Sequence, residues 1–530
     1  MNIAVEQDKK YGGHAEDSFR VVETQYGKLR GRVSEGLASF LGVRYGANTA
    51  GANRFMPPQP VTPWTGIRDA LVLGDHCVQT NPDFPVWLNP GPASEDCLTL
   101  DVFCPASTTA SSQLPVMVWL HGGGYSFGSG YAPAFNCGNL AKGGNVITVA
   151  VNHRLHGFGY TYLGDDEHFG TSGNAGHLDI IEALKWVQAN IERFGGDASN
   201  VTVFGQSGGG GKITMLCGMP AARGLFHKAI LQSGSIMKIR TAREASMLTD
   251  AVFDTLQLKR GDIRALQAVP TDTLVRCFDK VAEETNTNYT PYLAFGPTVD
   301  GRVMPEMVWR DQAPDFARDI PFLIGVNSDE GATYVGLDMY GPLKADVDIA
   351  RLCAKSQLQW NFSVEQLVPL VRKYRELMPH LSDPEMAVRV ASDVSFRKGA
   401  TIQSELLIAR QGAPVYMYEC AWKTPCFRGK WAVHGVELPF IFALGEYGTA
   451  WDGEDTDALR AAADPDNKRA VVGRLMFDAW VNFARSGNPS TKDLPWPTYD
   501  SSSRTTAVFG PESKTVDDPQ REVRDLLLGL

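Results

Sequence analysis

The chain has 530 residues, 43% of them hydrophobic and 21% charged, which is enough apolar material for a large core. Its 60 acidic against 50 basic residues leave a formal net charge of -10, which argues against nucleic acid or an anionic membrane surface as a partner. No run of about 18 apolar residues offers a membrane span, Met1 to Phe19 lacks an apolar signal core, and nine scattered cysteines form no zinc spacing, so a cytoplasmic chain with mostly reduced thiols is expected.

From Phe19 to Arg32 the alternation around Val21 and Val22 and the turn at Tyr26-Gly27 predict a β-hairpin near a sheet edge. Phe40 to Tyr45 reads as a short strand, Asn48 to Pro63 and Cys77 to Cys97 as loops, and Leu98 to Phe103 as a strand again. Leu114 to Leu120 is almost continuously apolar, as expected of a strand covered on both faces. It runs into His121-Gly122-Gly123-Gly124. Three glycines let the backbone approach a ligand and aim N–H groups at it, as in one half of an oxyanion hole; a flexible turn has the same composition.

Val146 to Val151 is the next buried strand, and Ile180 to Ile191 has the apolar spacing of an amphipathic helix stopped at Gly195-Gly196. The strand that follows, Val201 to Phe204, makes this a strand-helix-strand unit with a right-handed parallel crossover. It ends in Gly205-Gln206-Ser207-Gly208-Gly209, which fits G-x-S-x-G, the tight turn that exposes a serine hydroxyl at a strand tip. A helix starting just beyond would bring free N–H groups near a reacting oxygen. Such glycine-serine runs also occur as plain loops, so the partners of Ser207 decide.

Ala229 to Gln232, Phe322 to Gly325 and Val415 to Tyr418 supply further strands, with mostly helical insertions near 237–292 and 334–413 between them. The fold class is therefore α/β, a mostly parallel central sheet with helices on both faces and helical insertions over the site. Residues 19–530 read as one domain behind an 18-residue tail. A serine nucleophile needs a base, and the base an orienting acid; in strand-turn-helix hydrolases the order is serine, acid, histidine. Asp329 and Glu330 follow the Phe322 strand and His434 follows the Val415 strand. Local pattern does not separate Asp329 from Glu330. His121 suits a role in shaping the glycine loop, and His153, His156 and His177 suit packing.

The combination of Ser94-Glu95-Asp96-Cys97-Leu98, His121-Gly122-Gly123-Gly124, Asn152-His153-Arg154, Phe194-Gly195-Gly196-Asp197, Phe204-Gly205-Gln206-Ser207, Asp329-Glu330-Gly331, His434-Gly435-Val436-Glu437 and Asn482 to Pro489 resembles the type B carboxylesterases, α/β-hydrolases that include cholinesterases and para-nitrobenzyl esterases. The matches run in family order from about residue 20 to the end. The resemblance implies Ser207 as nucleophile, Glu330 as acid, His434 as base, and an oxyanion hole on Gly123, Gly124 and Gly208. It implies acyl transfer on a small-molecule ester with no metal or cofactor, and a substrate pocket touching Trp87, Gln206 and Phe295. The same triad would serve an amidase or carbamate hydrolase, and the same fold an inactive binding domain.

Several positions depart from the family pattern. Gln206-Ser207-Gly208 stands where Glu-Ser-Ala is usual, so no negative charge sits beside the serine. Gly208 to Gly211 sacrifices about 1 kcal/mol of helix propensity per glycine, which close packing or mobility must offset. Arg44 replaces a proline. Cys77 and Cys97 fall where secreted relatives form a disulfide, although two buried thiols fit a cytoplasmic chain equally well. Trp87 lies ten residues before Cys97, a spacing similar to that of the cation-binding tryptophan of cholinesterases, but the neutral Gln206 predicts little preference for choline esters.

Overall fold

A computed structural model describes residues 18–80, 91–132, 134–164, 166–284, 290–335, 343, 345–424, 431–444, 458, 461–462 and 464–530. The organising element is one sheet, thirteen-stranded among the described residues. Its strands are β1 (Ser18–Thr24), β2 (Gly27–Ser34), β3 (Leu37–Arg44), β4 (Ile67–Asp69), β5 (Thr99–Pro105), β6 (Leu114–Leu120), β7 (Ile147–Val151), β8 (Gly196–Gln206) and β9 (Lys228–Gln232). A separate two-stranded pair joins β10 (Arg240–Thr241) to β11 (Thr298–Val299), and β12 (Phe322–Asn327), β13 (Val415–Cys420), β14 (Thr506–Phe509) and β15 (Lys514–Val516) complete the large sheet.

The order across it is β1-β2-β3-β5-β7-β6-β8-β9-β12-β13-β14-β15, with β4 alongside β2. From β7 to β14 every neighbouring pair is parallel, while both margins are antiparallel apart from β4, which runs parallel to β2. The predicted hairpin is the β1–β2 margin, closed by a turn between Thr24 and Gly27.

Burial explains the continuous apolar run of β6. Val116, Val118 and Leu120 point into one core, shared with Val201 and Val203 of β8 and the helix Ala175–Asn190. Met117 and Trp119 point into a second core on the opposite face, with Phe204, Ile230, Leu323 and the helix Lys468–Ser486. Each such side chain contributes on the order of 2 kcal/mol when buried, so a one-residue slip would change every partner at once. The helix Ala175–Asn190 passes into a short turn, Ile191–Phe194, and stops at Gly195 with φ +88°, the left-handed geometry a glycine stop requires. The helices Asp346–Ser356, Val364–Leu377 and Asp383–Ser392 form a third cluster, which takes in Val523 and Leu527 of the helix Arg521–Leu528.

Cys77 and Cys97 are free, buried thiols, and Cys77 Sγ accepts a bond from Leu155 N–H. Arg44 holds Asp96 through two guanidinium nitrogens.

Candidate active site

The site forms where parallel strands deliver their C-terminal ends. Ser207 follows β8 at once, at φ +55° and ψ −124°, a backbone pair that residues with side chains rarely adopt. Its N–H donates to Gln232 O at 2.7 Å, and its carbonyl accepts from Gly211 N–H at 3.0 Å, so both flanks of the turn are tied down. The helix Gly208–Leu216 starts immediately after it.

The glycine run has a packing cause. A Cβ on Gly208 would lie 2.1 Å from Gly124 O, one on Gly209 1.9 Å from Leu120 O, and one on Gly210 2.8 Å from Gly234 Cα. The helix therefore presses bare backbone against the loop after β6 and the turn after β9. Close packing, not mobility, accounts for the lost helix propensity. In that loop Gly123 and Gly124 adopt φ +85° and +60°, and Gly123 O accepts from both Ser126 and Phe127 N–H at 3.2 Å. Gly208, at the first helical position, has an N–H with no carbonyl to bond within its helix.

Glu330 and His434 arrive from the ends of β12 and β13. His434 Nδ1–H donates to Glu330 Oε2 at 2.5 Å. Glu330 Oε1 accepts from Asn327 N–H at 2.8 Å and from the Ser233 hydroxyl, and the carboxylate is fully buried. Asp329 faces elsewhere: its Oδ2 accepts from Ala432 N–H at 2.9 Å and from Ser328 Oγ–H at 3.0 Å. Of the two adjacent acids, only Glu330 meets the imidazole. With a proton on Nδ1, the lone pair of His434 lies on Nε2, where the Gln206 side-chain amide donates to it at 3.1 Å.

The rings of Phe396 and Tyr334 pack on His434 at 4.8 and 5.5 Å between centroids. Phe396 sits in a π-helical turn, Asp393–Arg397, whose Asp393 accepts from Arg389 Nε and Arg397 Nε, each at 2.6 Å. Beneath His434 lies a second buried acid, Glu437, accepting from Asn327 Nδ2 at 2.7 Å and Gln232 Nε2 at 3.2 Å. Burial, and then the charge of Glu330, raise its pKa to about 6.

Ser207, His434, Gln206 and the glycine loop line one cavity of about 280 Å³. Phe127, Phe135, Ile236, Leu293 and Leu358 make up much of its wall, and no Asp, Glu, Lys or Arg is among the described lining residues. Of the expected pocket residues, Gln206 lines this cavity and Trp87 lies outside the described residues. Phe295 is buried away from the cavity, packed on His156 and Phe278 at 5.0 and 5.4 Å, and Leu293 takes the wall instead. Ser233 and Glu437 carry roles that local pattern does not assign, although Glu437 closes the His434-Gly435-Val436-Glu437 run. His121 is buried, its Nδ1 bonded to Gly122 O at 2.8 Å and its ring stacked on His153 at 5.1 Å.

Residues 18–525 match the model of the carboxylesterase family. The chain is 34% identical over 520 residues to a para-nitrobenzyl esterase of Bacillus subtilis, covering 96% of this chain and 99% of that one. It is 32% identical to carboxylesterase 1E of Rattus norvegicus, covering 92% and 90%. Among solved structures, a PNB esterase superposes with a TM-score of 0.82 at 32% identity, covering 96% and 99%. An esterase from Clostridium hathewayi, described as able to hydrolyse aliphatic aromatic polyesters, superposes at 0.77 with 30% identity, covering 97% and 99%.

Proposed function

The chain belongs to the carboxylesterase family, with the α/β-hydrolase fold of its structural neighbours, and on that premise we propose that it is a serine esterase working through an acyl-enzyme on Ser207. One observation carries this reading: the buried Glu330 accepts from His434 Nδ1, leaving the His434 Nε2 lone pair in the cavity that Ser207 also lines. A serine hydroxyl becomes a nucleophile only when a base takes its proton.

In the first half-reaction His434 Nε2 removes the proton from Ser207 Oγ as that oxygen attacks the ester carbonyl. The carbonyl π pair moves onto oxygen, where the N–H groups of Gly123, Gly124 and Gly208 stabilise it. Glu330 stabilises the imidazolium and holds its tautomer. The C–O bond to the alcohol then breaks, and the alcohol leaves with the proton from His434. Water repeats the sequence on the acyl-enzyme, releasing acid and free Ser207. For His434 to act, the Gln206 amide must yield Nε2, so Gln206 competes with Ser207 for one lone pair.

The cavity wall sets the substrate class. Described lining residues that include no carboxylate, lysine or arginine, with phenylalanine and leucine in the wall, favour neutral esters with apolar acyl and alcohol parts. The test is a panel of p-nitrophenyl esters, matched anilides and carbamates, with active sites counted by a titrant. Turnover of neutral esters well above that of the anilides supports the reading. A preference for anilides or carbamates would replace it.

A further inference from the structure

The helix Gly208–Leu216 carries one charged residue, Lys212, and it is completely buried. Helical side chains lean toward the N-terminus. Lys212 Nζ accordingly reaches back and donates to the His121 carbonyl at 2.8 Å. The titratable groups whose electrostatics couple to it are His121 from the loop after β6, His153 from the segment after β7 and His177 from the helix Ala175–Asn190. Burial first, then the Lys212 charge, holds all three below the usual imidazole range. No ion pair joins Lys212 to a carboxylate among the described residues. Burial draws its own pKa down to about 7. Ammonium and neutral amine alike keep an N–H for the His121 carbonyl, so the contact does not depend on which form is present.

Its location gives the contact a purpose. His121 is the residue from which Gly122-Gly123-Gly124 departs, and Lys212 lies one turn beyond Gly208 in the facing helix. The proposed oxyanion hole is divided between these two pieces, with Gly123 and Gly124 on the loop and Gly208 on the helix. At Gly208 and Gly209 the helix presses bare backbone on Gly124 and Leu120, contacts that carry only undirected van der Waals attraction. Lys212 adds a directed hydrogen bond from the helix to the root of the loop.

We propose that Lys212 is a positioning residue for the oxyanion hole, clamping the root of the glycine loop to the helix and so setting the separation between the two groups of N–H donors. This rests on the serine esterase reading. A clamp of this kind acts on the transition state, whose charge develops between the two pieces, and leaves ground-state binding nearly untouched.

Lys212→Met keeps an unbranched side chain, one atom shorter, and removes the donor. Expected for p-nitrophenyl butyrate is a fall in kcat of about 10- to 100-fold with KM within about twofold. Affinity for a trifluoromethyl ketone, which forms an oxyanion on the serine, should fall in proportion to kcat/KM. The thermal midpoint should hold or rise, because an apolar side chain replaces a buried ammonium. Lys212→Arg, which retains N–H donors, should recover kcat to within about tenfold of the native enzyme. A folded methionine variant with native kcat, or with its loss in KM while ketone affinity is unchanged, overturns the clamp. Should that variant not fold, the arginine variant decides: kcat lost with ketone affinity intact overturns it, and both retained supports it. Ser207→Ala, run alongside, tests the parent reading separately, since an active alanine variant would sink the nucleophile assignment whatever Lys212 does.

Discussion

Gly208→Ala isolates the geometry of the glycine seam with a single methyl group. The new Cβ would lie 2.1 Å from Gly124 O and 2.6 Å from both Gly124 C and Cα, where real contacts essentially never fall below 3.0 Å. Both sides of that clash are backbone, so no side chain can swing away. The loop and the helix must separate by about 1 Å. A misplacement of that size costs about 100-fold in rate, or about 2.7 kcal/mol of transition-state stabilisation. Alanine meanwhile improves helix propensity by up to about 1 kcal/mol, so the fold should not suffer in proportion. The assay is kcat and KM for p-nitrophenyl butyrate beside the thermal midpoint. Expected are a roughly 100-fold lower kcat, near-native KM and a midpoint near native. A variant turning over within threefold of the native enzyme would refute the argument that this seam is set by bare backbone contact.

Three further outcomes follow from the same structure. Glu330→Gln should lower kcat by about 10⁴-fold, because a neutral amide neither stabilises the imidazolium nor fixes its tautomer, whereas Asp329→Asn should cost less than about tenfold; the reverse ranking in steady-state kinetics would contradict the assignment. Gln206→Glu puts a carboxylate where the amide now meets His434 Nε2, which favours the imidazolium, so the acid limb of the kcat/KM profile should move up by about one pH unit, and an unmoved limb would count against that contact. Lys212 is drawn from 10.5 to about 7, so between those values the folded chain binds fewer protons than the unfolded chain and its stability contribution must rise with pH; urea titrations at pH 7 and 9 should show this slope in the native enzyme and lose it in Lys212→Met, with an unchanged slope as the contrary result.

The interior of the sheet was legible in the sequence because β6, β7, β9, β12 and β13 are short apolar runs buried on both faces. The margins were not. β4 has all three residues exposed and β15 is exposed or half-buried, so neither leaves an apolar pattern, and both are defined only by their neighbours' hydrogen bonds. β8 begins at Gly196, five residues before its apolar part, because pairing with β6 extends a polar segment. At the site, the order of the motifs put Ser207, Glu330 and His434 after the ends of three separate strands, β8, β12 and β13. It did not show which side chains meet. Separating Glu330 from Asp329 needs the direction in which the chain turns after β12, and the Gln206 contact needs the depth of the imidazole. Phe295 was misplaced for a related reason, since composition cannot tell which aromatic of a short segment faces the cavity and which faces the core.

The proposed acyl-enzyme mechanism requires the acyl group to be held on Ser207. The most direct measurement is peptide mapping by mass spectrometry of protein stopped during turnover of a slow carbamate, and of protein inhibited by a fluorophosphonate. The predicted result is one adduct per chain, on Ser207, absent from Ser207→Ala together with turnover. An adduct mapped chiefly to Ser233 or Ser235, or turnover that survives in Ser207→Ala, would contradict it.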